Sequence, residues 1–268
     1  MSTSSGVLAR FSLKGKTAVV TGGARGLGLE MMRALAECGA SVACVDLLAE
    51  MGAQACMDIE EEYKVKATSW ACDVTSYEEV QILFGQIAER HGSIDVLVTA
   101  AGIVKNVKAE EHNPQDFARI MNVNVNGSFF CCQAAANHMM KQKTGGSMIL
   151  IASMSAHIVN KPQPQCSYNA SKAAVVHLAK SLACEWAPHK IRVNTVSPGY
   201  MATALTKQVI ADRGAEGAAM KSSWEESTPM GRMGDPHELQ GSIVYLASEA
   251  SSFVTGTDLV VDGGYLAW

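Results

Sequence analysis

The chain has 268 residues, of which 48% are hydrophobic and 18% charged, a balance that allows one large α/β domain or two small ones and excludes disorder along the whole length. A formal net charge of −4 without a long block of Lys or Arg argues against nucleic acid or a membrane surface as a partner. The longest purely apolar runs, such as residues 148–152, fall far short of the roughly 20 residues that cross a membrane.

Residues 1–10 are rich in Ser and Thr and lack both the basic start and the apolar stretch of a signal peptide, so a loose arm and a cytoplasmic location are expected. Apolar, β-branched runs at 16–20, 41–45, 67–71, 94–99, 147–152, 190–196 and 257–261 predict seven strands. Stretches of helical period lie between them at 26–38, 48–63, 76–91, 114–140, 167–186 and 236–248. This alternation predicts a single doubly wound domain over 11–268, a parallel sheet with helices on both faces. Residues 200–234 leave the pattern, being full of Ala, Gly, Met and Ser around Trp224, and read either as a substrate lid or as a plain surface connection. Eight cysteines occur without a Cys-x-x-Cys pair or a His cluster at metal-ligand spacing, which predicts mostly buried, reduced thiols and no metal site.

The turn Thr21-Gly22-Gly23-Ala24-Arg25-Gly26-Leu27-Gly28 follows the first strand and opens the first helix. Glycines at 22, 26 and 28 let the backbone bend sharply and approach an anion, while the next helix aims unpaired N–H groups at it. Such a turn holds a dinucleotide pyrophosphate, or is only a strand-to-helix connection. Asp46 ends the second strand, where a carboxylate accepts both ribose hydroxyls of an adenosine and repels a 2′-phosphate. Arg25, inside the turn, argues the other way, but Leu47 offers no second basic group, so NAD is favoured and NADP is the alternative. Asp73-Val74 follows the third strand, and the carboxylate serves either the adenine amino group or a helix N-cap. Small residues in Thr99-Ala100-Ala101-Gly102 permit close approach to a cofactor.

Tyr168 and Lys172 stand four apart in a helical stretch and share a face. A neighbouring ammonium stabilises a phenolate, which would bring the phenol toward the working pH of a general acid/base. Ser155, thirteen residues before Tyr168, is a candidate donor to the reacting oxygen. Candidate substrate contacts between them are His157, Asn160, Gln163 and Gln165.

These motifs, with Asn124-Val-Asn-Gly127 and Pro198-Gly199 followed by Thr203, resemble the short-chain dehydrogenase/reductase family over nearly the whole chain. The resemblance implies a Rossmann-like fold and reversible hydride transfer between a nicotinamide and a secondary alcohol or ketone. It also implies roles: Tyr168 as acid/base, Ser155 orienting the substrate oxygen, and Lys172 on the nicotinamide ribose. Asn124 would hold a water leading to Lys172, Pro198-Gly199 would line the nicotinamide, and Thr203 would meet its carboxamide. Ala100 departs from the family, which usually has Asn there. Phe11-Ser12-Leu13-Lys14-Gly15-Lys16, Ile158-Val159-Asn160 and Asp262-Gly263-Gly264-Tyr265 are similar to the fungal branch of polyol dehydrogenases, ketose reductases and carbonyl reductases. That branch implies a sugar alcohol/ketose substrate pair and a homotetramer. An NADPH-dependent reductase of an apolar or specialised-metabolite ketone is the second reading, favoured by Met154, Met201, Met220 and Trp224, and an NAD-binding sensor without turnover is the third.

Overall fold

The computed structural model describes residues 6–268. The first half of the expected arm therefore lies outside the described residues, and Val7–Phe11 forms a single exposed 3-10 turn. Seven strands follow: β1 (Thr17–Thr21), β2 (Ser41–Asp46), β3 (Ala67–Ala71), β4 (Val96–Thr99), β5 (Gly146–Ile151), β6 (Ile191–Pro198) and β7 (Asp258–Val261). They pair in the order β3-β2-β1-β4-β5-β6-β7, every pair parallel. Between β1 and β4 the winding reverses, and all carboxyl ends line one edge, where such sheets hold ligands.

The helices are α1 (Gly26–Glu37), α2 (Ala49–Tyr63), α3 (Tyr77–His91), α4 (Pro114–Met121), α5 (Ser128–Gln142), α6 (Cys166–Trp186), α7 (Ala204–Asp212), α8 (Gly214–Glu226) and α9 (Gln240–Ala247). Side chains alternate across each strand, so Ala18, Val20, Val42 and Cys44 face α1 and α2, whereas Val19, Ala43 and Val45 face the layer of α3, α5 and α6. Two cores result, one on each face. The strands are buried on both sides, which is why they read as continuous apolar runs rather than as alternating ones. All eight cysteines are free, and five of them are buried.

The expected helix over 114–140 is broken. Asn122–Gly127 is π-helical, with α4 and α5 on either side. At its centre Asn124 is 1% exposed and bonds outside the helix. Its Oδ1 accepts from Ile103 N (2.9 Å), and its Nδ2 donates to Ile103 O (3.0 Å) and Ser171 Oγ (2.9 Å). The Ser128 hydroxyl donates to the Asn124 carbonyl at 2.8 Å, satisfying a group that the wide turn frees. The last expected helix likewise opens as a 3-10 turn, Pro236–Leu239, closed by a capping box between Asp235 and Glu238.

The excursion at 200–234 is mostly helical. α7 and α8 meet at Gly214 (φ 53°) and pack so closely that a Cβ on Gly217 would lie 2.1 Å from the Ile210 carbonyl oxygen. Its neck is tied by backbone bonds, Gly234 N to Tyr200 O (2.9 Å) and Ala202 N to Gly234 O (2.8 Å). Trp224 on α8 is 5% exposed and anchors the pair inward.

Glycine is required where β1 enters α1. A Cβ on Gly28 would stand 2.0 Å from the Gly22 carbonyl oxygen, and one on Gly22 (φ 69°) would stand 2.7 Å from Ala101 N. Both obstacles are backbone, so neither yields cheaply. Gly28→Ala is expected to destabilise the protein by about 3 kcal/mol, the upper end of overpacking costs, with a lower urea midpoint; an unchanged midpoint would refute this close-packing account.

Candidate active site

One cavity of about 370 Å³ opens at the carboxyl edge of β4, β5 and β6. Leu27, Gly102, Ser155, Tyr168, Lys172, Pro198, Gly199 and Thr203, all expected from the sequence, line it together. Gly22, Arg25, Gly26, Gly28, Asp46, Asp73, Val74 and Ala101 lie along the neighbouring edge formed by the β1, β2, β3 and β4 ends. Asp46 and Tyr168 thus lie along one edge of the sheet, with the cavity reaching the glycine turn at Leu27.

At the glycine turn, α1 begins with no side-chain cap, so its first N–H groups are free to meet an anion. Space beside Gly26 (φ 59°) is open, with nothing within 4 Å of a Cβ placed there. Asp46 braces the turn: Oδ2 accepts from Ala24 N at 3.1 Å and Oδ1 from Leu48 N at 3.0 Å. Arg25 is exposed and makes no ion pair among the described residues. Asp73 is not an N-cap, because α3 starts at Tyr77 behind Ser76. Its Oδ1 instead accepts from Thr75 N (2.9 Å) and Thr75 Oγ1 (2.8 Å). Val74 is buried against Gly127. Where Ala100 stands, the β1 and β4 ends are joined by Ala100 N to Thr21 O (3.1 Å) and Ala101 N to Thr21 Oγ1 (3.3 Å). The neighbouring Thr99 hydroxyl is buried without a partner.

Tyr168 and Lys172 come together on the first turns of α6. The Lys172 Nζ lies 5.6 Å from the Tyr168 ring centroid and donates to the Ile151 carbonyl at 2.7 Å. Burial pushes the ammonium down to about 8. Burial also raises the phenol above its ordinary value, contrary to the lowering expected from a neighbouring ammonium. The nearby Ser153 hydroxyl offsets part of that rise.

Ser155, thirteen residues before Tyr168, is buried and lines the cavity; its hydroxyl donates to Asn160 Oδ1 at 2.6 Å and accepts from Gln165 Nε2 at 3.2 Å and from Ser153 Oγ at 3.1 Å. Ser153, which lines the cavity beside it, was not singled out in the sequence. The Asn124 carboxamide, expected to hold a water for Lys172, is taken up by Ile103 and Ser171 and ties the loop after β4 to α6. The Thr203 hydroxyl caps α7, accepting from Thr206 N at 3.1 Å. Of the expected polar contacts, Asn160, Gln163 and Gln165 line the cavity. His157 does not; it pairs with Asp258 at 2.6 Å beside β7.

A hydrogen-bonded row connects α8 to this wall. Trp224 Nε1 (3.1 Å) and Tyr200 OH (2.6 Å) both donate to Gln163 Oε1, and Asn160 Nδ2 donates to Tyr200 OH at 3.2 Å. The Tyr200 and Trp224 rings stack with centroids 4.3 Å apart.

A doubly wound sheet with an uncapped glycine turn and a Tyr/Lys pair along one edge defines a dinucleotide-binding oxidoreductase. A family model described as enoyl-(acyl carrier protein) reductase matches residues 22–266. D-arabinitol 2-dehydrogenase [ribulose-forming] of Candida albicans (strain WO-1) is 48% identical, covering 98% of this chain and 96% of that protein. The NADP-dependent mannitol dehydrogenase of Hypocrea jecorina is 40% identical, covering 98% and 97%. Among solved structures, a short-chain type dehydrogenase/reductase from Mycobacterium marinum aligns with a TM-score of 0.91 at 43% identity, covering 97% and 99%. The chain belongs to the short-chain dehydrogenase/reductase family and is an oxidoreductase. No helix among the described residues is long and apolar enough to cross a membrane.

Proposed function

We propose that this enzyme interconverts a sugar alcohol and its ketose with NAD as the hydride carrier. One observation carries the reading: the cavity that holds Tyr168 and Lys172 is walled by four primary amides, Asn106, Asn160, Gln163 and Gln165, a lining suited to a polyhydroxylated molecule. The names of the arabinitol and mannitol relatives point to the same substrate class. Met154, Met201 and Trp224 line the cavity too and favour the second reading, an apolar ketone.

When bound, the dinucleotide supplies or accepts the hydride at its nicotinamide ring. The N–H groups at the start of α1, with Gly26, would hold its pyrophosphate, and Asp46 its adenosine ribose. Pro198, Gly199 and Thr203 would flank the ring end. In reduction the Tyr168 phenol, kept protonated by burial, gives its proton to the substrate oxygen; in oxidation it takes that proton back. We assign the hydroxyl donated to the substrate oxygen to Ser155, which lines the cavity with Tyr168 and receives the Ser153 hydroxyl at 3.1 Å. Lys172, fixed by the Ile151 carbonyl, favours the phenolate left by the transfer. In this reading the 200–234 segment is the lid, with Trp224 as its inward anchor. The enzyme acts in the cytoplasm as a homotetramer.

Purified protein assayed with NAD and NADP against a panel of polyols and simple secondary alcohols tests the substrate class, which fails if only the simple alcohols react. Tyr168→Phe should lower kcat by about 10²- to 10⁴-fold. Ser155→Ala should lower kcat more than Ser153→Ala, and the reverse order would move the role to Ser153.

Cofactor choice gives a second outcome. Wild-type kcat/KM should be higher with NAD than with NADP, and Asp46→Asn should reduce that ratio at least tenfold by removing the charge facing a 2′-phosphate. A wild-type enzyme faster with NADP would overturn the NAD assignment, in keeping with the NADP-dependent mannitol relative.

A third outcome concerns pH. The Lys172 ammonium is present below its depressed pKa and lost above it, so reductive kcat/KM should hold through neutral pH and fall as pH rises through about 8. A profile flat to pH 10 would contradict this role for Lys172.

A further inference from the structure

A second cavity of about 420 Å³ lies beneath α8, lined by Pro162, Pro164, Arg213, Glu216, Met220 and Ser223, and it shares Asn106 and Gln163 with the first. Gln163 therefore stands at the junction between the reacting groups and an outer space under the lid. The orientation of its amide follows from chemistry. An indole N–H only donates, so the atom 3.1 Å from Trp224 Nε1 must be the amide oxygen. Tyr200 OH takes the second lone pair of that oxygen at 2.6 Å. The amide nitrogen, with two N–H groups, is then turned away from both rings and has no acceptor among the described residues.

The two buried amides of the wall are committed. Asn160 is 3% exposed; its oxygen accepts from Ser155 and Gln165, and its nitrogen donates to Tyr200. Gln165 is 5% exposed, and its nitrogen is shared among Ser155, Asn160 and Asn169. Asn106 is exposed and its amide is held by no side-chain hydrogen bond among the described residues, whereas Gln163 keeps both donors with its carbonyl pinned by two rings that also hold the lid. A donor fixed in this way recognises an oxygen acceptor at low entropic cost.

We propose that Gln163 is a specificity-determining residue, its amide nitrogen donating to a substrate hydroxyl away from the reacting carbon, at the passage between the two cavities. The inference rests on the polyol/ketose reading and names the group that distinguishes a polyol from a simple alcohol. A substrate lacking that hydroxyl leaves two desolvated donors unpaired, which is how such sites reject deoxy analogues.

Gln163→Glu keeps an oxygen for Trp224 and Tyr200 and replaces the donor by an acceptor. Gln163→Met keeps the length and removes both functions. Steady-state kinetics on a pentitol and on a simple secondary alcohol, with melting temperatures alongside, separate the outcomes. The expected result is that the ratio of kcat/KM for the pentitol to that for the simple alcohol falls at least tenfold in Gln163→Glu, mostly through KM. Gln163→Met should lower the ratio likewise. A ratio unchanged from wild type, or an equal loss on both substrates, would overturn the assignment of Gln163 while leaving the substrate class intact. A wild-type enzyme that turns over only the simple alcohol would instead refute the underlying reading and the proposal with it.

Discussion

Three stretches of main chain meet with no room for a side chain between them: the end of β1, the start of α1 and the segment after β4. Gly28 presses on the Gly22 carbonyl, and Gly22 presses on Ala101. This contact lets α1 start close against the sheet with its first N–H groups uncapped, and it brings the β1 and β4 ends together where the winding reverses. The crevice exists because those glycines have nothing to pack. Asp46 then reaches across from β2 to hold Ala24, so the carboxylate proposed for the ribose also stiffens the turn proposed for the phosphates. Affinity and local rigidity are coupled through one side chain.

A second set of constraints builds the proton-transfer end. Asn124, at the centre of the π-helical turn, substitutes side-chain bonds for the helical ladder and locks the loop after β4 to Ser171 on α6. Ser171 is one residue before Lys172, and Gly102 sits between the two side chains, 3.3 Å from Asn124 Oδ1 and 3.6 Å from Lys172 Nζ when measured from a Cβ position. A larger residue at 102 would push them apart. The irregular helix and the bare glycine are therefore two parts of one arrangement that keeps a buried ammonium near the phenol.

Most of the architecture was readable from local chemistry. All seven strands appear where apolar runs lie; β1, β2 and β4, buried on both faces, have almost no polar positions to blur the signal, while the half-buried edge strands β3 and β7 carry it less cleanly. The break within 114–140 was not readable, because helical periodicity barely changes when a turn widens by one residue and the cause, Ile103, lies far away in sequence. At the site, Tyr168 and Lys172 were legible because a fixed helical interval sets their distance. Ser155 was legible as a hydroxyl just past β5 in the cavity wall, but the hydrogen bonds that hold it, from Ser153 and Gln165 and to Asn160, were not, since they cross an irregular loop. The 200–234 segment was legible as a departure from pattern, but its helices were not, Ala- and Gly-rich segments carrying little amphipathic signal.

The row from Trp224 to Ser155 has a direction. An indole cannot accept, so each hydroxyl and amide along Gln163, Tyr200 and Asn160 has its polarity dictated in turn, ending with the Ser155 proton aimed at Asn160. No member of the row needs to ionise for this order to hold. Whether α8 is seated is thereby written into the orientation of a single hydroxyl several residues from the lid. A phenylalanine at 224 would keep the stacking and erase the arrow, leaving a row able to point either way.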